Sequence, residues 1–97
     1  MFIHAFAFRW KSGVSEAQKK QAQLEIGNLQ GKIPGLLDTW TGINVSPRGQ
    51  GYEFGGVMRF ANKRSLDAYQ THPEHVKLLS WLVPLIDAAE LDFEAQD

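Results

Sequence analysis

Residues 2–10 read FIHAFAFRW, and this stretch decides the fold because its character alternates from one residue to the next. One side carries large side chains and the other small or aliphatic ones, apart from one arginine. Side chains alternate between the two faces of a β-strand, so the pattern predicts a strand over residues 2–10. We expect the first side to meet helices; it consists of Phe2, His4, Phe6, Phe8 and Trp10.

The sequence after this strand switches between helical and strand-like periodicity. Ser15-Glu16-Ala17-Gln18 forms a capping box, which predicts the start of a helix. A turn rich in proline and glycine at residues 46–51 separates two alternating segments, which predicts an antiparallel hairpin. The predicted elements after the first strand are a helix at 16–32, strands at 36–45 and 52–60, a helix at 65–71, a helix from Pro73 to near Pro84, and a strand at 90–94.

This order of elements is βαββαβ. It predicts an α+β, ferredoxin-like fold, in which a four-stranded antiparallel sheet carries helices on one face. The chain has 97 residues, which is the length of one domain, and we therefore expect a single domain over residues 1–97.

The face of the sheet that the helices leave open is also apolar. We expect an exposed patch there, and monomers rarely tolerate a large one. The same face of a second copy is the simplest cover, so we expect a homodimer through the open sheet face. Charged residues around the patch leave a monomer as the alternative. The expected patch residues are Ile3, Ala5, Ala7, Trp40 and Val57.

Composition excludes several classes of function. Ten basic and eleven acidic residues leave a net charge of −1, and the small basic cluster at Asn62-Lys63-Arg64 is too weak for nucleic acid binding. The chain has no cysteine, which excludes disulfides and thiolate chemistry and fits a reducing compartment. Its first residues form neither a signal peptide nor a membrane span, so we expect a cytoplasmic protein with no membrane partner.

The residues that could carry chemistry gather around Tyr69-x-x-His72-Pro73-x-His75. A histidine in the first turn of a helix stays neutral more readily, because the free amides there carry partial positive charge. His75 could therefore act as a general base, with Asp92 orienting its ring and Tyr69 donating to an oxyanion. A purely structural role is the alternative, in which Tyr69, His72 and His75 only fix the junction between two helices.

The aromatic side of the first strand supplies the rest of the expected pocket. We expect His4, Phe6, Phe8 and His72 to contact a substrate. His72 could equally be a helix N-cap, and His4 a satisfied core histidine. We predict no metal site, since Pro73 separates two of the histidines and no strict ligand motif is present. We also predict no cofactor.

Short motifs along nearly the whole chain match those of a known family. They are His4 in the first strand, Phe8 followed by Lys11, Val14-Ser15-Glu16-Ala17-Gln18, Ile33-Pro34-Gly35, Gly42-x-Asn44-x-Ser46, Gly51-Tyr52, Tyr69-x-x-His72-Pro73-x-His75-Val76 and Asp92-Phe93. As a set, they resemble the stress-responsive α/β-barrel proteins, also called Dabb or dimeric α/β-barrel proteins. The resemblance implies a dimer whose two sheets form a barrel.

The family includes olivetolic acid cyclase, which closes a linear polyketide by aldol condensation without a cofactor. The resemblance implies that His75 corresponds to its catalytic histidine, Tyr69 to its oxyanion-supporting tyrosine and Asp92 to its histidine-orienting aspartate, with His4 in the pocket. The cyclase has bulky aromatic residues on the first helix, and a different substrate is implied here because this chain has Gln21, Ala22, Gln23 and Glu25.

Three functions stay open on the sequence alone. The first is an enzyme or binder for a small carbonyl or polyketide-like compound, of the cofactor-independent cyclase or lyase type. The second is a non-enzymatic, stress-associated homodimer. The third is an accessory subunit whose surface matters rather than its pocket. A shared fold does not decide among them, because function depends on the site.

Overall fold

A computed structural model gives the fold of residues 1–96, and Asp97, the last residue of the predicted domain, lies outside the described part. Within that part, the elements follow the predicted βαββαβ order, with the second helical segment split in two. They are β1 (Phe2–Trp10), α1 (Glu16–Gly27), β2 (Leu36–Ile43), β3 (Phe54–Phe60), α2 (Lys63–Gln70), α3 (Pro73–Leu82) and β4 (Ile86–Glu94), with a short 3-10 turn at Val83–Leu85.

The four strands form one antiparallel sheet in the order β2-β3-β1-β4. The strand that the sequence pattern identifies most clearly, β1, therefore lies inside the sheet, where it pairs with β3 and β4. The prediction of a ferredoxin-like α+β fold is confirmed. β2 and β4 are the two edge strands.

The core lies between the sheet and the three helices. His4, Phe6 and Phe8 are buried on the helix side of β1, as their alternation predicts. Gly56 on β3 makes room for one of these rings, because a Cβ at that position would come within 2.7 Å of the Phe6 ring. The other buried apolar residues are Ala22, Ile26, Leu29, Ile33, Leu36, Phe54, Met58, Phe60, Leu66, Tyr69, Leu78, Leu82 and Ile86.

Among residues 1–96, no helix packs against the opposite face of the sheet, as the sequence predicts. Trp40 on β2 remains 57% exposed and Leu91 on β4 62% exposed. The register sets Trp40 beside Val57 and Ala5 beside Leu91, so apolar residues continue across all four strands. We call this surface the open face; it comprises Ile3, Ala5, Ala7, Trp40, Val57, Leu91 and Phe93.

Two predicted boundaries are wrong by more than two residues. Helix α1 ends at Gly27 rather than Lys32, and the chain continues in turns that still bring Leu29 and Ile33 into the core. Glycine is a poor helix former, which favours the end of the helix at Gly27. The apolar residues beyond it are spaced as in a helix but are buried from turns. Strand β4 begins at Ile86 rather than Glu90, because pairing with β1 extends it through two alanines. Within residues 1–96, no helix is long and apolar enough to cross a bilayer.

Candidate functional site

A cavity lies on the helix side of the sheet, between β1, β4 and the helices α2 and α3. Its empty space is about 490 Å³, including the part that opens to solvent. Most of the wall is apolar, and a few polar side chains converge on one part of it, which is the usual composition of a ligand pocket. The lining residues are His4, Phe6, Phe8, Ile26, Tyr69, His75, Leu78, Leu79, Leu82, Val83, Ile86, Ala88 and Glu90.

His75 enters this cavity from the first turn of α3. The helix begins there because Pro73 suits its first position and the His72 ring accepts a hydrogen bond from the backbone N–H of Glu74 at 3.1 Å. Nδ1 of His75 lies 3.2 Å from the carbonyl oxygen of Gln70, the last residue of α2. A carbonyl can only accept, so Nδ1 carries the proton and donates it, which leaves Nε2 as an acceptor.

His75 is held in its neutral form. Its side chain is buried, and burial lowers the pKa of its imidazole below the ordinary value of 6.5. The neighbouring His4 lowers this pKa as well, whereas the hydrogen bond to Gln70 and the charge of Glu90 act in the opposite direction. An imidazole that is neutral near pH 7 can accept a proton.

Tyr69 stacks against His75, with the two ring centroids 4.0 Å apart. Its ring also packs on Phe60, 5.2 Å away, so the core of the sheet fixes its position. Burial raises the pKa of the Tyr69 hydroxyl well above its usual range, and the charges of Glu90 and Asp92 add to the effect. The phenol therefore keeps its proton and can act only as a neutral hydrogen-bond donor or acceptor.

Asp92 does not orient His75, which corrects the expectation from the sequence. Its carboxylate accepts a hydrogen bond from Nδ1 of His4 at 2.5 Å. The register explains this, because His4 and Asp92 are paired residues on adjacent strands and point to the same face. The backbone of Gln70 takes the orienting role at His75 instead.

The expected substrate-contacting residues divide into two groups. His4, Phe6 and Phe8 line the cavity, whereas His72 lies outside the lining and caps α3. Asp92 also lies outside the lining and reaches the cavity only through His4. Among residues 1–96, no buried side-chain nitrogen or oxygen lacks a partner, and no side-chain hydrogen bond uses Nε2 of His4 or His75 or the Tyr69 hydroxyl. These three atoms are therefore open to the cavity.

Glu90 was not identified as a site residue from the sequence, although it lines the cavity beside His75 and Tyr69. A signal was available, because Glu90 and Asp92 are two residues apart on one strand and so share a face. The apolar wall from α3 and the 3-10 turn was also missed as a pocket wall. In the described part of the chain, no three histidine or acidic side chains are grouped to hold a metal ion.

The sequence matches a known family over nearly its full length. A model for the stress responsive A/B barrel domain, Dabb, matches residues 3–95. No curated protein is significantly similar to the sequence.

Solved structures match the whole fold. The chain resembles a protein from Arabidopsis thaliana with a TM-score of 0.90 at 23% identity, covering 100% of this chain and 97% of that one. A dimeric ferredoxin-like protein of unknown function from Thermobifida fusca matches with a TM-score of 0.84 at 26% identity, covering 97% and 90%. A hydroxynitrile lyase from Passiflora edulis matches with a TM-score of 0.83 at 19% identity, covering 99% and 95%.

Proposed function

Because the chain belongs to the stress responsive A/B barrel domain family, we propose that it binds a small carbonyl compound beside His75 and transforms it without a cofactor. The observation that carries the proposal is the state of the His75 ring. Its Nδ1 proton is committed to the Gln70 carbonyl, its pKa is lowered by burial, and its Nε2 is open to the cavity. A general base needs this combination of a fixed tautomer, neutrality and access.

The proposed reaction begins with proton transfer to Nε2 of His75. The proton comes from a carbon next to a carbonyl, or from the hydroxyl of a carbonyl adduct. In the first case, the resulting enolate carbon forms a bond to a second carbonyl carbon, whose oxygen takes the proton back from His75. In the second case, the alkoxide re-forms the carbonyl as the carbon–carbon bond breaks and the leaving carbanion takes the proton. Both directions require the same base.

Tyr69 and His4 complete the proposed site. The Tyr69 hydroxyl remains protonated, so it can donate a hydrogen bond to the oxygen on which negative charge develops. His4 forms a second polar wall, held in place by Asp92. The similar Passiflora edulis protein is a hydroxynitrile lyase, and this supports carbonyl-adduct chemistry on the same fold. Phe6 and Phe8 would contact the apolar body of the substrate.

The test is turnover of a substrate panel by the purified protein and by Tyr69→Phe. The panel contains poly-β-keto thioesters for cyclisation, and β-hydroxy ketones and hydroxynitriles for cleavage, with products followed by chromatography. We expect at least one class to react, and Tyr69→Phe to be slower by about 10²- to 10³-fold because one oxyanion donor is lost. Tyr52→Phe is the matched control, because Tyr52 packs against Arg9 away from the cavity.

Absence of turnover across the panel would contradict the enzymatic proposal. The alternative hypothesis would then apply, namely a non-enzymatic, stress-associated homodimer in which the histidines fix the helix junction. Equal rates for wild type and Tyr69→Phe, with turnover present, would instead remove Tyr69 from the mechanism.

We further propose that two copies associate through the open face. Similar structures are described as dimeric, which supports a homodimer. The exposed tryptophan and leucine of the open face favour its burial against an identical surface, since an apolar patch of this extent is unusual on a monomer. The cavity lies on the other side of the sheet, so this association leaves it accessible.

Trp40→Glu is expected to convert the dimer to a monomer at micromolar concentration, because two carboxylates would be buried against apolar residues at the two-fold interface. Sedimentation velocity checks this, since one chain has a mass of 10.9 kDa and a dimer twice that. Val45→Glu is the control, as Val45 is 90% exposed and lies beyond the end of β2. A wild-type monomer, or a dimeric Trp40→Glu variant, would contradict this interface.

We also propose that the chain forms a single domain and lies in the cytoplasm. The family match over residues 3–95 supports one domain over residues 1–97. The absence of cysteine supports a reducing compartment, which for this chain we propose to be the cytoplasm.

A further inference from the structure

Glu90 is the only acidic side chain among the described residues that line the cavity. It lies on β4, in register with Phe6 of β1, and the alternation of the strand directs it to the helix side. The rest of the lining is apolar apart from the two histidines and the tyrosine. A carboxylate here is therefore placed to act on a ligand that the apolar wall holds.

Among residues 1–96, the Glu90 carboxylate takes part in no side-chain hydrogen bond or ion pair. Other acidic groups of the chain have partners: Asp92 pairs with His4, Asp38 with Arg59, and Asp67 with Lys63. The charge of Glu90 nevertheless acts within the cavity, since it raises the pKa of both Tyr69 and His75. The acceptor oxygens of Glu90 are thus available to a ligand.

The position of Glu90 also keeps it accessible. β4 is an edge strand, and Glu90 remains exposed on it. Its neighbours along the strand, Ala89 and Leu91, point to the open face, so an association of two copies through that face leaves Glu90 uncovered. Glu90 therefore lines the cavity where the cavity meets solvent.

We propose that Glu90 determines which carbonyl compounds the cavity accepts: those that carry a hydroxyl or ammonium group at the end facing β4, and not those that carry a carboxylate there. The proposal rests on the function proposed above and names the substrate class of the same site. An ammonium or hydroxyl group donates a hydrogen bond to the Glu90 oxygens. A carboxylate would be repelled by Glu90, and no arginine or lysine lines the described cavity to offset that repulsion.

Three substituted acetophenones of similar size test the proposal. They carry at the para position a dimethylaminomethyl group, which is protonated at pH 7, a hydroxymethyl group, or a carboxylate. Binding is measured by calorimetry and by NMR titration. The cation is expected to bind at least about tenfold more tightly than the carboxylate, which corresponds to the interaction of two charges about 6 Å apart in a partly hydrated site. The hydroxymethyl compound is expected to lie between them.

Glu90→Gln is expected to reduce this discrimination to about twofold or less, since the amide is nearly the same size but carries no charge. Glu94→Gln is the matched control. It makes the same change on the same strand and face, but Glu94 lies outside the cavity lining, and so it is expected to preserve the wild-type order.

The outcomes separate the role of Glu90 from the existence of the carbonyl pocket. Wild-type discrimination that Glu90→Gln removes and Glu94→Gln retains supports the role of Glu90. Binding of all three acetophenones with equal affinity, or discrimination that survives in Glu90→Gln, overturns that role and leaves the proposed carbonyl pocket intact. Failure of all three compounds to bind overturns both.

Discussion

Replacement of His75 by glutamine is expected to slow the proposed reaction by about 10²- to 10⁴-fold, the usual contribution of a positioned general base. Glutamine can still donate to the Gln70 carbonyl, but its side chain cannot take a proton from a carbon acid or a hydroxyl. Ligand affinity should change much less than kcat, because the apolar wall of the cavity is untouched. The measurement is steady-state kinetics on whichever panel substrate the wild type converts.

His72→Asn is the control for this variant. His72 directly precedes Pro73 and caps α3 without lining the cavity. Asparagine is among the preferred N-cap residues, so it can replace His72 in that role. We therefore expect near wild-type rates from it. A loss in His72→Asn as large as that in His75→Gln would indicate that the two histidines act through the helix junction and not through chemistry.

The pH dependence of the reaction gives an independent check on His75. Its folded-state pKa lies below 6.5, so the neutral base persists as the pH falls past 6.5 and is lost only at the lower, folded-state value. We expect the acid limb of kcat/KM to have its midpoint below 6.5. Glu90 raises this pKa, so Glu90→Gln should move the limb further toward acid. A midpoint above 6.5 would contradict the assignment of His75 as the base.

The lowered pKa of His75 also makes the folded state less stable at acid pH. Between pH 6.5 and the lower folded-state pKa, the unfolded chain binds a proton at His75 and the folded chain does not. The contribution of His75 to the free energy of unfolding is therefore at its full value above pH 6.5 and is lost as the pH falls through that window.

Phe60→Ala is expected to lower the free energy of unfolding by about 3–5 kcal/mol. Phe60 is fully buried at the end of β3, where it pairs with Phe2 and packs against the Tyr69 ring. Removal of the ring leaves a cavity that the surrounding sheet and helices fill only in part. For a domain of this size, that loss is a large share of the total stability.

Urea denaturation at a fixed protein concentration measures this effect, because any dimer links stability to concentration. Leu24→Ala is the control: Leu24 is 62% exposed on α1, and its truncation is expected to cost about 0.5 kcal/mol or less. A cost for Phe60→Ala below that of Leu24→Ala would contradict the described core.

The bounds of helices and strands were predicted correctly only where the alternation or capping pattern in the sequence was clear. The alternation of residues 2–10 and the capping box at Ser15 predicted the bounds of β1 and the start of α1 correctly. The end of α1 was overestimated because Leu29 and Ile33 are buried from turns rather than from a helix. The start of β4 was missed because Ala88 and Ala89 carry little strand propensity of their own.

For the candidate site, the sequence predicted that Tyr69 and His75 lie close together, since both flank one short helix junction. It did not predict the partner of Asp92, which pairs with a histidine 88 residues away, nor did it predict Glu90. Both depend on how β4 aligns with β1. A shift of one residue in that register would turn Asp92 and Glu90 to the open face.

The sequence by itself determined the element order, the buried face of β1 and β3 and the helix junction that carries His75, because these follow from periodicity and capping among neighbouring residues. Only the tertiary structure decided that Gln70 orients His75, that Asp92 holds His4, and that Glu90 enters the cavity. These contacts join segments whose relative placement depends on strand register and helix packing over the whole domain, which no local pattern contains.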